Sequence, residues 1–141
     1  MPSDAHALAS ELRPAVIMAA RRIRAERGSA DLSDPQYSVL VHLEKHGPLT
    51  PGQLADLERI QPPSMTRTVN CLVEAGLVAK DAHPTDGRVV LVSLTPAGRT
   101  EVAETRRRRS QWLEARLEDM ADDERARLAD AVELLRRIAE A

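Results

Sequence analysis

The chain has 141 residues, 43% of them hydrophobic, and a formal net charge of −2 at pH 7. This length predicts a single domain with a core of its own. With no phenylalanine, one tryptophan and one tyrosine, the core must be built mainly from aliphatic residues, which favours helices. The single cysteine, Cys71, excludes an intrachain disulfide. No apolar run resembles a signal peptide or a membrane span, so we expect a cytoplasmic protein with no membrane partner.

The first half of the chain predicts three helices. Apolar residues recur every three or four positions from residue 5 to about 27, which is typical of an amphipathic helix. Residues 33–36, Ser-Asp-Pro-Gln, form a capping-box pattern and predict a second helix over about 34–46. Residues 50–53, Thr-Pro-Gly-Gln, repeat that pattern and predict a short third helix over about 51–58.

The fourth helix is predicted to begin at the pair Pro62-Pro63, since two adjacent prolines fit only the first turn of a helix. It should extend to about residue 75. Helical periodicity predicts that its inward face consists of Met65, Val69, Leu72 and Val73. The outward face is then polar: Ser64, Thr66, Arg67 and Asn70. Two short helices joined by a tight turn, the second with such a face, predict a helix-turn-helix whose second helix can enter the major groove of DNA.

A β-hairpin and two helices should complete the chain. Alternating residues over 77–82 and 89–94 flank the turn signal Asp86-Gly87, which predicts two antiparallel strands. Thr95-Pro96 should begin a fifth helix ending near Leu117, and the last helix should cover about 123–139. This last helix carries a narrow apolar stripe: Leu128, Val132, Leu135 and Ile138 or Ala139. Periodicity leaves open whether the stripe packs within one chain or against a second chain.

Two strings give the sequence a recognisable family resemblance. "PPSMTRTVNCLVEAGLV" at 62–78 resembles the recognition helix of the MarR family of bacterial transcriptional regulators, and "HPTDGRVVLVSLTPAGR" at 83–99 resembles the wing of that family. The resemblance extends over nearly the whole chain. It implies a mostly α fold with a small β-hairpin wing (α+β), that is, a winged helix-turn-helix whose N- and C-terminal helices form a dimerisation lobe.

The resemblance also implies an organisation and a function. Within a single domain, 1–141, residues 33–98 would form the DNA-binding lobe, and 5–28 and 99–141 the helical dimerisation lobe. A homodimer would bind a near-palindromic duplex operator and repress, or less often activate, transcription. Many family members respond to small aromatic or phenolic effectors, so release by such an effector is expected. The resemblance implies no cofactor.

The resemblance places DNA contacts on the fourth helix and the wing. The residues concerned are Gln61, Pro63, Ser64, Thr66, Arg67, Asn70, Asp86 and Arg88. Gln61 stands where the family commonly has a serine cap. Arg67 is the best candidate for a guanine or phosphate contact because its planar guanidinium offers several donors. Arg88 is suited to the minor groove, and Asp86 would hold it in position.

Two rival functions remain to be weighed against DNA binding. Residues 47–98 carry a net charge of −1, so bulk electrostatics gives no help to DNA binding, and a winged-helix protein-interaction module without DNA binding is the alternative. An enzyme would need a nucleophile with a base, or paired carboxylates, and neither occurs at a recognisable spacing. We therefore expect a protein that is not an enzyme.

Several other side chains have both a functional and a structural interpretation. Tyr37, His42 and Trp112 could line an effector pocket, although aromatic residues at helical spacing often belong to a core. His42 and His46 have the spacing of a metal-binding pair, but no third ligand is apparent, so we assign no metal site. Cys71 could sense oxidants, but a thiol within a helix more often behaves as a small hydrophobic residue.

The run of arginines at 106–109 resembles a nucleic-acid-binding patch. Four consecutive helical residues point in four directions, however, so they cannot all face one phosphate backbone. Glu101, Glu104 and Glu114 are close enough in sequence to pair with some of them. The sequence favours a salt-bridged helix face, with contacts to DNA or to a second subunit as the alternative.

Overall fold

The computed structural model describes residues 4–141, and the first three residues of the predicted domain lie outside this range. The helices are α1 (Ala5–Arg24), α2 (Asp34–His46), α3 (Pro51–Glu58), α4 (Pro62–Glu74), α5 (Pro96–Glu118) and α6 (Asp122–Glu140), and the strands are β1 (Val78–Ala82) and β2 (Val90–Leu94). The predicted fold class, mostly helical with a β-hairpin wing, is confirmed.

Helices α2 and α3 begin at the predicted caps. The hydroxyl of Ser33 accepts a hydrogen bond from the amide of Gln36, whose side chain accepts one in return from the Ser33 amide. Thr50 and Gln53 make the same two bonds at the start of α3. Each reciprocal pair satisfies two amides that a helix start otherwise leaves unpaired.

Helix α1 ends at Arg24, three residues earlier than the periodicity predicts. The reason lies in the following loop, which docks on α5. Arg109 Nε donates to the carbonyl of Glu26 at 3.0 Å, and the amide of Ala30 donates to Glu101 Oε1 at 3.1 Å. Because α5 provides these tertiary partners for the loop backbone, the chain satisfies its hydrogen bonds without extending the helix.

The hairpin is antiparallel, with a register from Val78 opposite Leu94 to Ala82 opposite Val90. Each strand begins one residue later than predicted. Leu49 adds a short backbone bridge that the sequence did not indicate: its amide donates to Val92 at 3.0 Å, and the Val92 amide donates back at 2.7 Å. The segment between α2 and α3 is thereby fixed to the wing.

The core lies between α2, α3, α4, the hairpin and the first half of α5. Its fully buried side chains include Val39, Leu40, Leu54, Met65, Val69, Leu72, Val92 and Val102. Val73, predicted to face inward, is instead 37% exposed, which corrects the inward face of α4. The inward stripe of α4 is thus narrower than predicted, because Met65, Val69 and Leu72 already fill the space over α2 and α3.

Helices α1 and α6 contribute no buried side chain to this core in the described chain. Their apolar residues are largely exposed, including Leu8, Val16, Ile17, Met18, Leu128, Val132, Leu134, Leu135 and Ile138. None of the helices in residues 4–141 is both long and apolar enough to cross a lipid bilayer.

Candidate nucleic-acid interface

At the start of α4, the first backbone amides are either missing or already hydrogen-bonded. Pro62 and Pro63 have no amide hydrogen, and the amide of Ser64 donates to the Gln61 carbonyl at 3.0 Å. The Gln61 side chain makes no capping hydrogen bond. Recognition by this end of α4 therefore depends on side chains.

The exposed face of α4 contains the residues that the sequence predicted to point outward. Gln61, Pro63, Thr66, Arg67 and Asn70 are exposed, and Ser64 is half-buried. The Thr66 hydroxyl donates to the Pro62 carbonyl at 3.1 Å, and Arg67 Nη2 donates to Ser64 Oγ at 3.4 Å. Since a guanidinium has five N–H groups, Arg67 keeps further donors for a ligand. Whether these residues contact DNA stays a prediction.

Strand β1 contributes a cation to this face that the sequence reasoning missed. Lys80 Nζ donates to Asn70 Oδ1 across a distance of 2.5 Å. In the sequence, Lys80 is marked only as one of the charged residues within 47–98. Its contact with Asn70 could not be predicted because it depends on how β1 returns beside α4. That return begins at Gly76, whose φ of 76° lies in the left-handed region that glycine tolerates.

The wing presents Arg88 with Asp86 at its base. One carboxylate oxygen of Asp86 accepts bonds from the Arg88 amide at 3.1 Å and from Arg88 Nε at 3.2 Å. The Arg88 side chain is 92% exposed, so this solvated pair adds little to the free energy of unfolding. Asp86 therefore contacts Arg88 as expected, and its role in directing the guanidinium stays a prediction. The groove contact itself remains a prediction.

The three residues predicted to line an effector pocket each have a different partner. The guanidinium of Arg109 lies 4.6 Å from the centroid of the Tyr37 ring, and His42 Nε2 lies 3.0 Å from Glu58 Oε1. Trp112 lies between two cations, with Arg22 at 5.1 Å and Arg116 at 4.5 Å from its ring centroid. The pocket assignment stays a prediction.

The structure also shows the surroundings of the two histidines considered for metal binding and of the cysteine considered for oxidant sensing. The rings of His42 and His46 stack with centroids 6.3 Å apart. Within residues 4–141 no group of three or more His, Cys, Asp or Glu side chains is arranged to hold a metal ion. Cys71 is exposed on α4, and both interpretations of this thiol, an oxidant sensor or a small hydrophobic residue, stay predictions.

The arginine run on α5 is used within the chain, although not with all of the predicted partners. Arg106 pairs with Glu44 on α2 at 2.6 Å, and Arg108 pairs with Glu104 at 2.7 Å. Glu101 is buried and binds Ala30 and Thr105 instead of an arginine. The run therefore ties α5 to α2 and to the loop after α1.

Glu104 is the one described group with a clear shift in its pKa. The hydroxyl of Ser29 donates to Glu104 Oε1 at 2.7 Å, and this bond is the main cause that lowers the pKa of Glu104 below 4.5. Desolvation is the second-largest effect and raises this pKa, and the nearby Arg108 and Arg107 lower it by smaller amounts.

Comparison with known proteins agrees with this architecture. The sequence profile of the MarR family matches residues 32–90. The chain is 42% identical, over 96% of its own length and 94% of the relative's, to an HTH-type transcriptional regulator of Mycobacterium leprae. The chain belongs to the MarR family. Its relatives are transcriptional regulators and not enzymes, as the sequence predicted.

Solved structures place the whole chain, and not only its centre, in the MarR fold. A transcriptional regulator protein from Pseudomonas aeruginosa is 32% identical, with a TM-score of 0.83 over 95% of both chains. The PcaV transcriptional regulator from Streptomyces coelicolor, solved in complex with its natural ligand, is 26% identical. Its TM-score is 0.63, covering 100% of this chain and 98% of PcaV. α1, α5 and α6 are thus part of the shared MarR architecture.

Proposed function

We propose that this MarR-family regulator binds a near-palindromic duplex operator as a homodimer, acts as a repressor in the cytoplasm, and is released by a small-molecule effector. The observation that carries the proposal is the contact that holds the wing strand β1 beside the exposed face of α4. Arg67 and Asn70 lie on α4, and the contact from Lys80 to Asn70 fixes the wing strand beside that helix. A helix in the major groove and a wing beside it form a single DNA-binding surface.

The homodimer is supported by the apolar surface of the terminal helices. Between α1 and α6 lies an open apolar groove of about 590 Å³, lined mainly by Ala9, Leu12, Val16, Ile17, Leu135 and Ile138. An exposed apolar surface of this kind is typical of a protein–protein interface. A second copy covering it would align two recognition helices for the two halves of a palindrome.

Release by an effector is supported by one comparison. PcaV, which shares the fold over the whole chain, was solved with its natural ligand. For this protein we propose a small aromatic or phenolic effector bound near Tyr37, His42 and Trp112. The expected effect is that a simple aromatic acid such as benzoate lowers the affinity for the operator, measured by fluorescence anisotropy of a labelled duplex.

The decisive experiment is a selection of genomic DNA fragments by the purified protein, followed by titration of the retained duplex. Arg67→Ala should weaken binding by about 1 to 3 kcal/mol if a base contact is lost. Arg127→Ala is the matched control, since Arg127 is a 73% exposed arginine on α6 whose partner among residues 4–141 is Asp123 at 3.5 Å. This control should bind the duplex as the unmodified protein does.

Salt dependence separates DNA binding from docking of a protein partner. The logarithm of the binding constant should fall with the logarithm of salt concentration with a slope of about −0.9 for each phosphate neutralised. Retention of no fragment above background would refute the proposed function.

A further inference from the structure

We propose that Lys80 orients Asn70 as a hydrogen-bond donor and adds its own N–H donors beside it, so that the Lys80–Asn70 pair recognises paired acceptor groups of DNA in preference to the donor–acceptor edge of adenine. This inference rests on the proposed function. It concerns which chemical group the C-terminal half of α4 recognises, and it starts from the 2.5 Å contact between Lys80 Nζ and Asn70 Oδ1.

The contact fixes the orientation of the Asn70 amide. An ammonium group has three donors and no acceptor, so it must face the amide oxygen and not the amide nitrogen. The NH₂ group of Asn70 therefore points away from Lys80. An exposed asparagine without such a partner would be free to present either end of its amide.

This orientation works against the usual asparagine contact with a base. Asparagine recognises adenine in a bidentate manner, accepting from N6 with its oxygen and donating to N7 with its nitrogen. Here the oxygen already accepts from a positive charge, so the N6 hydrogens of an adenine would approach an ammonium and be repelled. The second lone pair of the oxygen lies beside the same positive charge, so the favourable contacts that the pair offers are donors: the Asn70 NH₂ group and the remaining N–H groups of Lys80.

The charge of Lys80 is not neutralised by a carboxylate. Among the ion pairs formed within residues 4–141, none includes Lys80, whereas Arg88 on the wing is paired with Asp86. A donor cluster with one net positive charge matches two closely spaced acceptors. In duplex DNA these are the O6 and N7 atoms of guanine or the oxygens of a phosphate.

Two substitutions separate the roles of the pair. Asn70→Asp keeps an oxygen for Lys80 but removes the NH₂ donors, so it should weaken binding. Lys80→Met removes the charge and frees the amide of Asn70. The probe is a pool of duplexes with randomised sequence, from which the unmodified protein and each variant select their preferred sites, followed by salt titration of one selected duplex.

The result distinguishes the two sources of acceptors. If the pair binds guanine, Lys80→Met should allow adenine at one position of each half-site where the unmodified protein selects guanine. If it binds a phosphate, base preference should stay the same and the salt slope should decrease in magnitude by about 0.9 per half-site. A third substitution, Asn70→Ala, removes the amide. In both cases Lys80→Met combined with Asn70→Ala should bind no more weakly than the weaker of the two single variants Lys80→Met and Asn70→Ala, since the residues act as a unit.

The proposal is overturned if the unmodified protein selects duplexes but Lys80→Met changes neither base preference nor salt slope. It is also overturned if Lys80→Met and Asn70→Ala reduce affinity independently. Both outcomes leave the proposed function standing, because Arg67→Ala would still weaken binding. Failure of the unmodified protein to select any duplex would overturn the proposed function and this inference together.

Discussion

Gly98 in the first turn of α5 supports a sharp prediction about how the wing is attached to the rest of the chain. A Cβ atom at this position would lie 2.7 Å from Leu94 Cδ1 and closer still to the carbonyl oxygen of Leu77. The Leu94 side chain can rotate away from the added Cβ atom. The Leu77 carbonyl cannot, because it accepts a hydrogen bond from the Thr95 amide at 3.1 Å. Gly98→Ala must therefore displace backbone at the junction of α4, β1 and α5.

The magnitude follows from two opposing effects. Overpacking a tight site costs about 1 to 3 kcal/mol, while alanine in a helix gains about 0.5 to 1 kcal/mol over glycine. We expect Gly98→Ala to lower the free energy of unfolding by about 1 to 2 kcal/mol. Urea unfolding followed by circular dichroism, at one fixed protein concentration, measures this difference.

Gly52→Ala is the matched control. Gly52 lies in the first turn of α3, which also begins with a Thr-Pro cap, but the nearest atom to a Cβ there is Thr50 Oγ1 at 3.8 Å. This variant should be as stable as the unmodified protein or more stable by up to about 1 kcal/mol. If both variants have the same stability as the unmodified protein, the close approach at Gly98 does not constrain the junction and the reasoning is wrong.

Two further predictions concern the wing and the loop after α1. Asp86→Ala should weaken operator binding by releasing Arg88, without changing the dimer mass measured by analytical ultracentrifugation; unchanged affinity would show that Asp86 does not orient Arg88. The pKa of Glu104, measured by NMR titration, should lie below 4.5 and should rise in Ser29→Ala. Because the folded state lowers this pKa, the Ser29 contact adds stability above pH 4.5 that is lost as pH falls through the folded value; an unshifted pKa would contradict the hydrogen bond.

Much of the fold could be predicted because its signals are local. The Thr-Pro and Ser-Asp-Pro starts fixed the beginnings of α2, α3 and α5, since capping depends on residues three positions apart. The outward face of α4 could also be predicted from a local pattern: Arg67 and Asn70 are exposed, as helical periodicity predicts. Local patterns were enough for these features, although the periodicity of α4 wrongly placed Val73 inward.

The errors arose where two distant segments meet. α1 stops at Arg24 because α5 provides partners for the following loop, some 80 positions further along the chain. Lys80 reaches Asn70 only because β1 folds back beside α4. The partner of Arg106 is Glu44 on α2, whereas the sequence offered only glutamates on the same helix. No periodicity within one segment contains this information.

The exposed apolar faces of α1 and α6 also determine where a single protomer is least protected. Neither helix has a buried side chain of its own, so in an isolated protomer little side-chain packing opposes their local opening, and their amides should exchange with solvent hydrogen before those of α2 or α4. A second copy covering these faces would reverse that order. α1 and α6 would then change from helices that exchange before α2 and α4 to helices that open only when the two copies separate.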